Sequence, residues 1–212
     1  MATKKNNTTP EGIERRTFNN EIRLENAESR EVVGYASVFN SLSENLGGFR
    51  ERIDEGAFND VLTDDVRALF NHDSNLILAR SQNGKGTLSL AVDERGLEYR
   101  FTAPPTTYGD DLLVSLERGD VSQSSFGFIV EQDDWTQDEE GNTIRTIKKV
   151  GRLLDVSPVS FPAYPDSTVA KRNFMEYRTE LEKKENEKQD KDLIKRGLLE
   201  KKLELLKIKK SK

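Results

Sequence analysis

Ser122-Gln-Ser-Ser-Phe-Gly-Phe128 decides how this chain is read. With a period of two, Ser124, Phe126 and Phe128 share one face of a strand, and Ser125 and Gly127 share the other. The first is a core face. The second carries a hydroxyl beside a residue without a side chain, which would leave room for a substrate backbone. The strand-like run continues to Glu131, so the reading opens on a β protein with a serine presented from a strand.

Upstream, Val66-Arg-Ala-Leu-Phe-Asn-His72 also alternates. Val66, Ala68, Phe70 and His72 would share one face, so His72 should leave the core side at the strand end. It is the only histidine, and there is no cysteine. A thiolate nucleophile is therefore closed, and Ser with His is the remaining orthodox route to nucleophilic catalysis. A lone histidine is usually structural or simply exposed, and a serine-rich strand start usually carries no function. But His72 sits where an apolar strand stops, and strand ends are where catalytic groups tend to be presented. Downstream, Arg152-Leu-Leu-Asp-Val-Ser-Pro-Val159 sets Asp155 in an otherwise apolar strand, where a carboxylate is expensive to bury without a partner. Two partners are open: an arginine, or an imidazole N–H whose tautomer the carboxylate would fix.

The remaining pattern is β-rich. Val32 to Phe39 reads as a buried strand. Arg50 to Phe58 reads as a short strand running into a one- or two-turn helix that ends near Leu62. Thr87 to Val92 and Leu97 to Ala103 form a hairpin across Asp93-Glu-Arg-Gly96. Thr106 or Thr107 caps a helix carrying Leu112, Leu113 and Leu116, which Gly119 ends. Thr143 to Val150 and Gly151 to Val159 read as two strands, and Phe161-Pro-Ala-Tyr-Pro165 closes the β region. Asp192 to Lys210 reads as an amphipathic helix, interrupted by Gly197, on a flexible linker. The expected organisation is an N-terminal arm (1–16), a β-rich domain (17–170) and a charged linker with helical tail (171–212).

Charge narrows the function classes. Of 212 residues, 34% are hydrophobic and 33% charged. Residues 171–212 hold 15 basic and 9 acidic groups, a net of +6, while residues 1–170 hold 18 and 29, a net of −11. An acidic body argues against a nucleic-acid-binding core. One histidine and no cysteine disfavour a zinc site. Gly84-Lys-Gly86 is too short for a phosphate loop, and the acidic turn from Asp133 to Glu140 lacks calcium-loop spacing. No apolar run reaches the roughly 18 residues of a membrane span, and the first residues lack the apolar stretch of a signal peptide. The expectation is a soluble intracellular protein without cofactor, metal, nucleic-acid or membrane partner.

Four segments together resemble the prohead (capsid maturation) serine proteases of tailed bacteriophages, which share the herpesvirus assemblin-like fold. They are Val33-Gly-Tyr-Ala-Ser-Val-Phe39, Ala68-Leu-Phe-Asn-His-Asp73, Ser125-Phe-Gly-Phe128 and Leu154-Asp-Val-Ser-Pro-Val-Ser-Phe-Pro-Ala163. Glu51 to Phe58 fits the family's segment ahead of the histidine. The resemblance covers about residues 17–170. It implies a mostly β, α+β protein with a closed antiparallel β-barrel flanked by helices. It maps the nucleophile to Ser125, the general base to His72 and the third member to Asp155, where the family more usually carries glutamate. It further implies location in the host cytoplasm inside the assembling prohead, and cleavage of scaffold or of the scaffolding segment of the major capsid protein, and of itself. Homo-oligomerisation stays open. Backbone N–H groups around Lys149 to Arg152 are the expected oxyanion donors. The rival reading is a catalytically silent scaffold or capsid-assembly protein on the same fold.

Overall fold

Leu97-Glu-Tyr-Arg-Phe-Thr-Ala103 forms the strand that its alternation predicts: Leu97, Tyr99, Phe101 and Ala103 are buried, while Glu98, Arg100 and Thr102 are not. The computed structural model describes residues 12–19, 21–161 and 168–210. Most of the expected arm and the proline-bearing residues 162–165 lie outside that set.

Two sheets share one core. The first strands in the chain are β1 (Glu14–Phe18), β2 (Ile22–Asn26), β3 (Glu31–Val38), β4 (Phe49–Ile53), β5 (Val66–Leu69) and β6 (Ile77–Gln82). Then come β7 (Lys85–Gly86), β8 (Leu88–Val92), β9 (Gly96–Thr102), the helix α1 (Thr107–Arg118), β10 (Gln123–Gln137) and β11 (Thr143–Val159). The smaller sheet runs β2-β3-β9-β8, and the larger runs β1-β10-β11-β5-β6-β7 with β4 also paired to β11. Val32, Tyr99 and Phe101 of the smaller sheet join Val66, Ala68, Phe126, Phe128, Leu153 and Val156 of the larger in one apolar cluster. Thr106 caps α1 by accepting from the Gly109 N–H, and Gly119 ends it in the left-handed region at φ 78°.

The expected closed antiparallel barrel is not formed. Both sheets are open, and the larger one is mixed. β11 takes β10 antiparallel on one edge, while β4 and β5 line its other edge in succession, both parallel. Closure needs edge strands able to pair with each other. Here β7 is two exposed residues long, and β1 turns the charged, exposed Arg15 outward. Short or charged edges are how sheets avoid further pairing. Two local expectations also change. Residues 55–63 form turns and no helix, and the two strands expected over 143–159 are one strand of 17 residues.

β1 is held by charges. Arg16 donates to Glu51 at 2.6 and 2.7 Å and to Glu14 at 2.6 Å. Arg145 donates to Glu14 at 2.8 and 3.0 Å, to Glu51 at 2.9 Å and to Asp133 at 2.6 Å. The Arg145 side chain is fully buried. Burial alone would raise the Glu14 carboxyl, but the hydrogen bond from Arg145 and the charge of Arg16 outweigh it and hold the group below its ordinary 4.5. A depressed carboxyl stabilises the fold above its ordinary value, and that contribution is lost as pH falls below about 4.5. Arg145→Met would leave Glu14 and Glu51 short of a partner inside the protein. Urea unfolding at neutral pH should show a loss of about 3–5 kcal/mol, the usual cost of breaking a buried pair from one side. An unchanged midpoint would show that the cluster contributes no net stability.

From Ala170 onward the chain forms a second unit, made of the helix α2 (Thr168–Lys210). It is continuous for 43 residues where a linker was expected. Its Glu, Lys, Arg and Leu content favours helix throughout, with an i,i+4 pair between Arg178 and Glu182. Leu193, Ile194, Leu198 and Leu199 are exposed on it.

Candidate active site

The central strand pairing places a serine, an imidazole and a carboxylate in contact. Ser125 on β10 lies opposite Ser157 on β11, and Gly127 opposite Asp155. Asp155 in turn lies opposite Arg67 on the parallel strand β5. His72 Nε2 is 2.8 Å from Ser125 Oγ, and His72 Nδ1 is 2.5 Å from Asp155 Oδ1. A carboxylate only accepts, so Nδ1 carries the proton toward Asp155, and Nε2 accepts from the serine hydroxyl. The structure therefore brings Ser125, His72 and Asp155 together. Of the two partners open to Asp155, it takes the imidazole, while Arg67 turns to Asp65 at 3.1 Å.

His72 reaches this position by a route its alternation does not predict. The strand stops at Leu69, and Asn71 and His72 both adopt left-handed backbone at φ 56° and 57°. That turn carries the ring away from the core face of Val66 and Ala68 and onto the face of Asp155. Such backbone costs of order 1 kcal/mol or more per residue and persists only where neighbours hold it. Here the Asn71 N–H donates to the Pro158 carbonyl at 2.9 Å, and Asn71 Oδ1 accepts from the Ser160 N–H at 2.8 Å. The turn is thus stitched to the end of β11, the strand that supplies Asp155.

Two further residues complete the arrangement. Ser157 Oγ donates to Asp155 Oδ1 at 2.7 Å, so one carboxylate oxygen meets both the imidazole and a buried hydroxyl. Gly127 does not leave space for a substrate. A Cβ there would collide with Asp155 Oδ2, so the missing side chain makes room for the carboxylate itself. Neither role was read from the sequence. The available signal was position: Ser157 is two residues beyond Asp155 on the same strand face, and asparagine tolerates left-handed backbone better than most residues.

Ser124 faces the core and donates to the Tyr99 hydroxyl at 2.9 Å, while burial pushes that phenol's pKa up. Lys149 to Arg152 lies within β11, with Arg152 opposite Ile129. At about 3.3 Å per residue, Arg152 is roughly 17 Å along the strand from Ser157, too far to serve an oxyanion at Ser125. Ser125 itself has no exposed surface, and the His72 and Asp155 side chains are each 10% exposed.

A hydroxyl bonded to an imidazole that is bonded to a carboxylate is the working arrangement of the serine hydrolases, recognised by geometry and not by order in the chain. The profile of the caudovirus prohead serine proteases matches residues 18–189. The chain belongs to that family. The prohead protease of Enterobacteria phage HK97 is 35% identical over 141 residues, covering 65% of this chain and 57% of that protein. The chain thus matches little more than half the length of that relative. No solved structure matches. Among the described residues, no helix is long and apolar enough to cross a membrane.

Proposed function

We propose that this chain is a serine endopeptidase of phage prohead maturation. Ser125 Oγ attacks the scissile carbonyl while His72 Nε2 takes its proton. The same nitrogen returns the proton to the leaving amine, and water activated by His72 then releases the acyl group. Asp155 fixes the Nδ1–H tautomer and stabilises the imidazolium. The observation that carries this reading is the unbroken hydrogen-bond chain from Asp155 through His72 to Ser125. The substrate class follows from the family: scaffold or the scaffolding segment of the major capsid protein, and the chain itself, inside the assembling prohead in the host cytoplasm. Residues 17–170 would carry the chemistry, and α2 would serve in docking.

The complete burial of Ser125 favours the rival, a silent assembly protein on the same fold. A fluorophosphonate probe separates the two, because it labels only a serine that an imidazole activates. The purified chain should take up one phosphonyl group at Ser125, located by peptide mass spectrometry, and His72→Gln should take up none. Absence of labelling on the unaltered chain, with no cleavage of added capsid or scaffold protein, would leave the silent reading standing.

A further inference from the structure

The sheet face that carries the catalytic hydrogen bonds also carries arginines in register with them. Arg15 on β1 lies directly opposite Gly127. The Cβ direction at Gly127 points at the Asp155 carboxylate, so Arg15 leaves its strand on the face of Ser125, His72 and Asp155. Along β10 the next position on this face is Ile129, opposite Arg152. Leu153 faces the core, so its neighbour Arg152 faces outward. Arg15 and Arg152 therefore flank Gly127 and Ile129 from opposite sides of β10. From Ser125 to Ile129 is about 14 Å at roughly 3.4 Å per residue.

Both arginines are exposed, and among the described residues neither has a carboxylate partner. Arg67 and Arg80, further across the same sheet, share Asp65. Unpaired guanidinium groups stand out in residues 1–170, where acidic groups outnumber basic ones by 29 to 18. A charged residue on an edge strand is often only a guard against further pairing. That accounts for Arg15 on β1 but less well for Arg152, which lies mid-strand between the stretches of β11 that β4 and β5 pair with, where the neighbouring Leu153 N–H is already taken by the Asp64 carboxylate.

We infer that Arg15 and Arg152 form a substrate subsite for acidic side chains, placed two to four residues from the scissile bond of a peptide lying over Gly127 and Ile129. This rests on the peptidase reading for its scissile bond but not for its binding. Guanidinium groups match carboxylates in fork geometry, and their position beside Ser125 favours a peptide over a nucleic acid.

The test uses the full chain carrying Ser125→Ala and a fluorescein-labelled dodecapeptide with Glu at alternate positions. Its Gln and Lys counterparts serve as comparisons, all read by anisotropy. The Glu peptide should bind about tenfold more tightly than the Gln peptide, the combined effect of two exposed charge pairs. The Lys peptide should bind least. The preference should vanish in Arg15→Gln/Arg152→Gln and shrink as salt shortens the screening length. Equal affinities for the three peptides would overturn the inference. So would a preference that survives the double substitution, or displacement of the Glu peptide by oligothymidylate of equal length at equal concentration. The comparison among peptides on unsubstituted arginines stands even if the double variant misfolds. Ser125 labelling without charge preference would sink only the subsite. Charge preference without labelling or cleavage would sink only the peptidase reading.

Discussion

Ser125→Ala should leave the protein folded and lower its turnover of capsid or scaffold substrate by roughly 10⁴- to 10⁶-fold. The substitution removes one hydroxyl from a residue already in extended backbone, and β10 keeps its pairing on both sides. What disappears is the group 2.8 Å from His72 Nε2. Ser124→Ala provides the internal control, one residue away on the opposite face. It removes the donor to the Tyr99 hydroxyl in the core, so it should lower stability by about 1 kcal/mol and leave turnover nearly unchanged. Measuring melting and turnover for both variants separates the two serines. The reverse ranking would move the nucleophile off Ser125 and require a different chemistry for the whole site.

Asp155→Asn carries the second large effect, a fall in turnover of up to about 10⁴-fold. The amide keeps the shape that Gly127 accommodates. If its NH2 faces His72, the ring must accept at Nδ1, Nε2 then bears the proton, and Ser125 loses its base. If its oxygen faces His72, the tautomer survives, but the negative charge that stabilises the imidazolium is gone. Both orientations slow the reaction, the first more severely. Turnover should therefore fall well beyond any change in melting temperature. Unchanged turnover would reduce the machinery to Ser125 and His72, with Asp155 and Ser157 in a structural role.

The parts legible in the sequence were those governed by neighbours along the chain. Alternation from Leu97 to Ala103 marked a strand, Thr106 and Gly119 bracketed a helix, and the face shared by Ser125 and Gly127 pointed away from the core. Asp155 was legible as a carboxylate out of place in an apolar strand, but its partner was not. That depended on β5 pairing in parallel with β11 and on two left-handed residues after Phe70. Those two residues also reversed the face assigned to His72, because alternation holds only while the backbone stays extended. Barrel closure depended on which strands meet at the sheet edges, and no single strand encodes that. The ion cluster was hidden for a similar reason. Glu14, Glu51 and Arg145 come from three distant strands, and each alone reads as an ordinary surface charge. Glu51 between Phe49 and Ile53, and Arg145 between Thr143 and Ile147, were the only hints that these charges share an inward face.

That cluster sets a limit on how far the front of the chain can be processed. Glu14 and Arg16 supply two of its five charged groups, and the strand bearing them covers the edge of β10 beside Ser125. Trimming that stops before Ile13 leaves the cluster complete. A cut between Arg16 and Thr17 would free the segment to leave, taking Glu14 from Arg145 and Arg16 from Glu51, and uncovering the edge of β10. Under the proposed function, a copy cut at that bond would lose the strand that borders Ser125, whereas a copy trimmed before Ile13 would keep it.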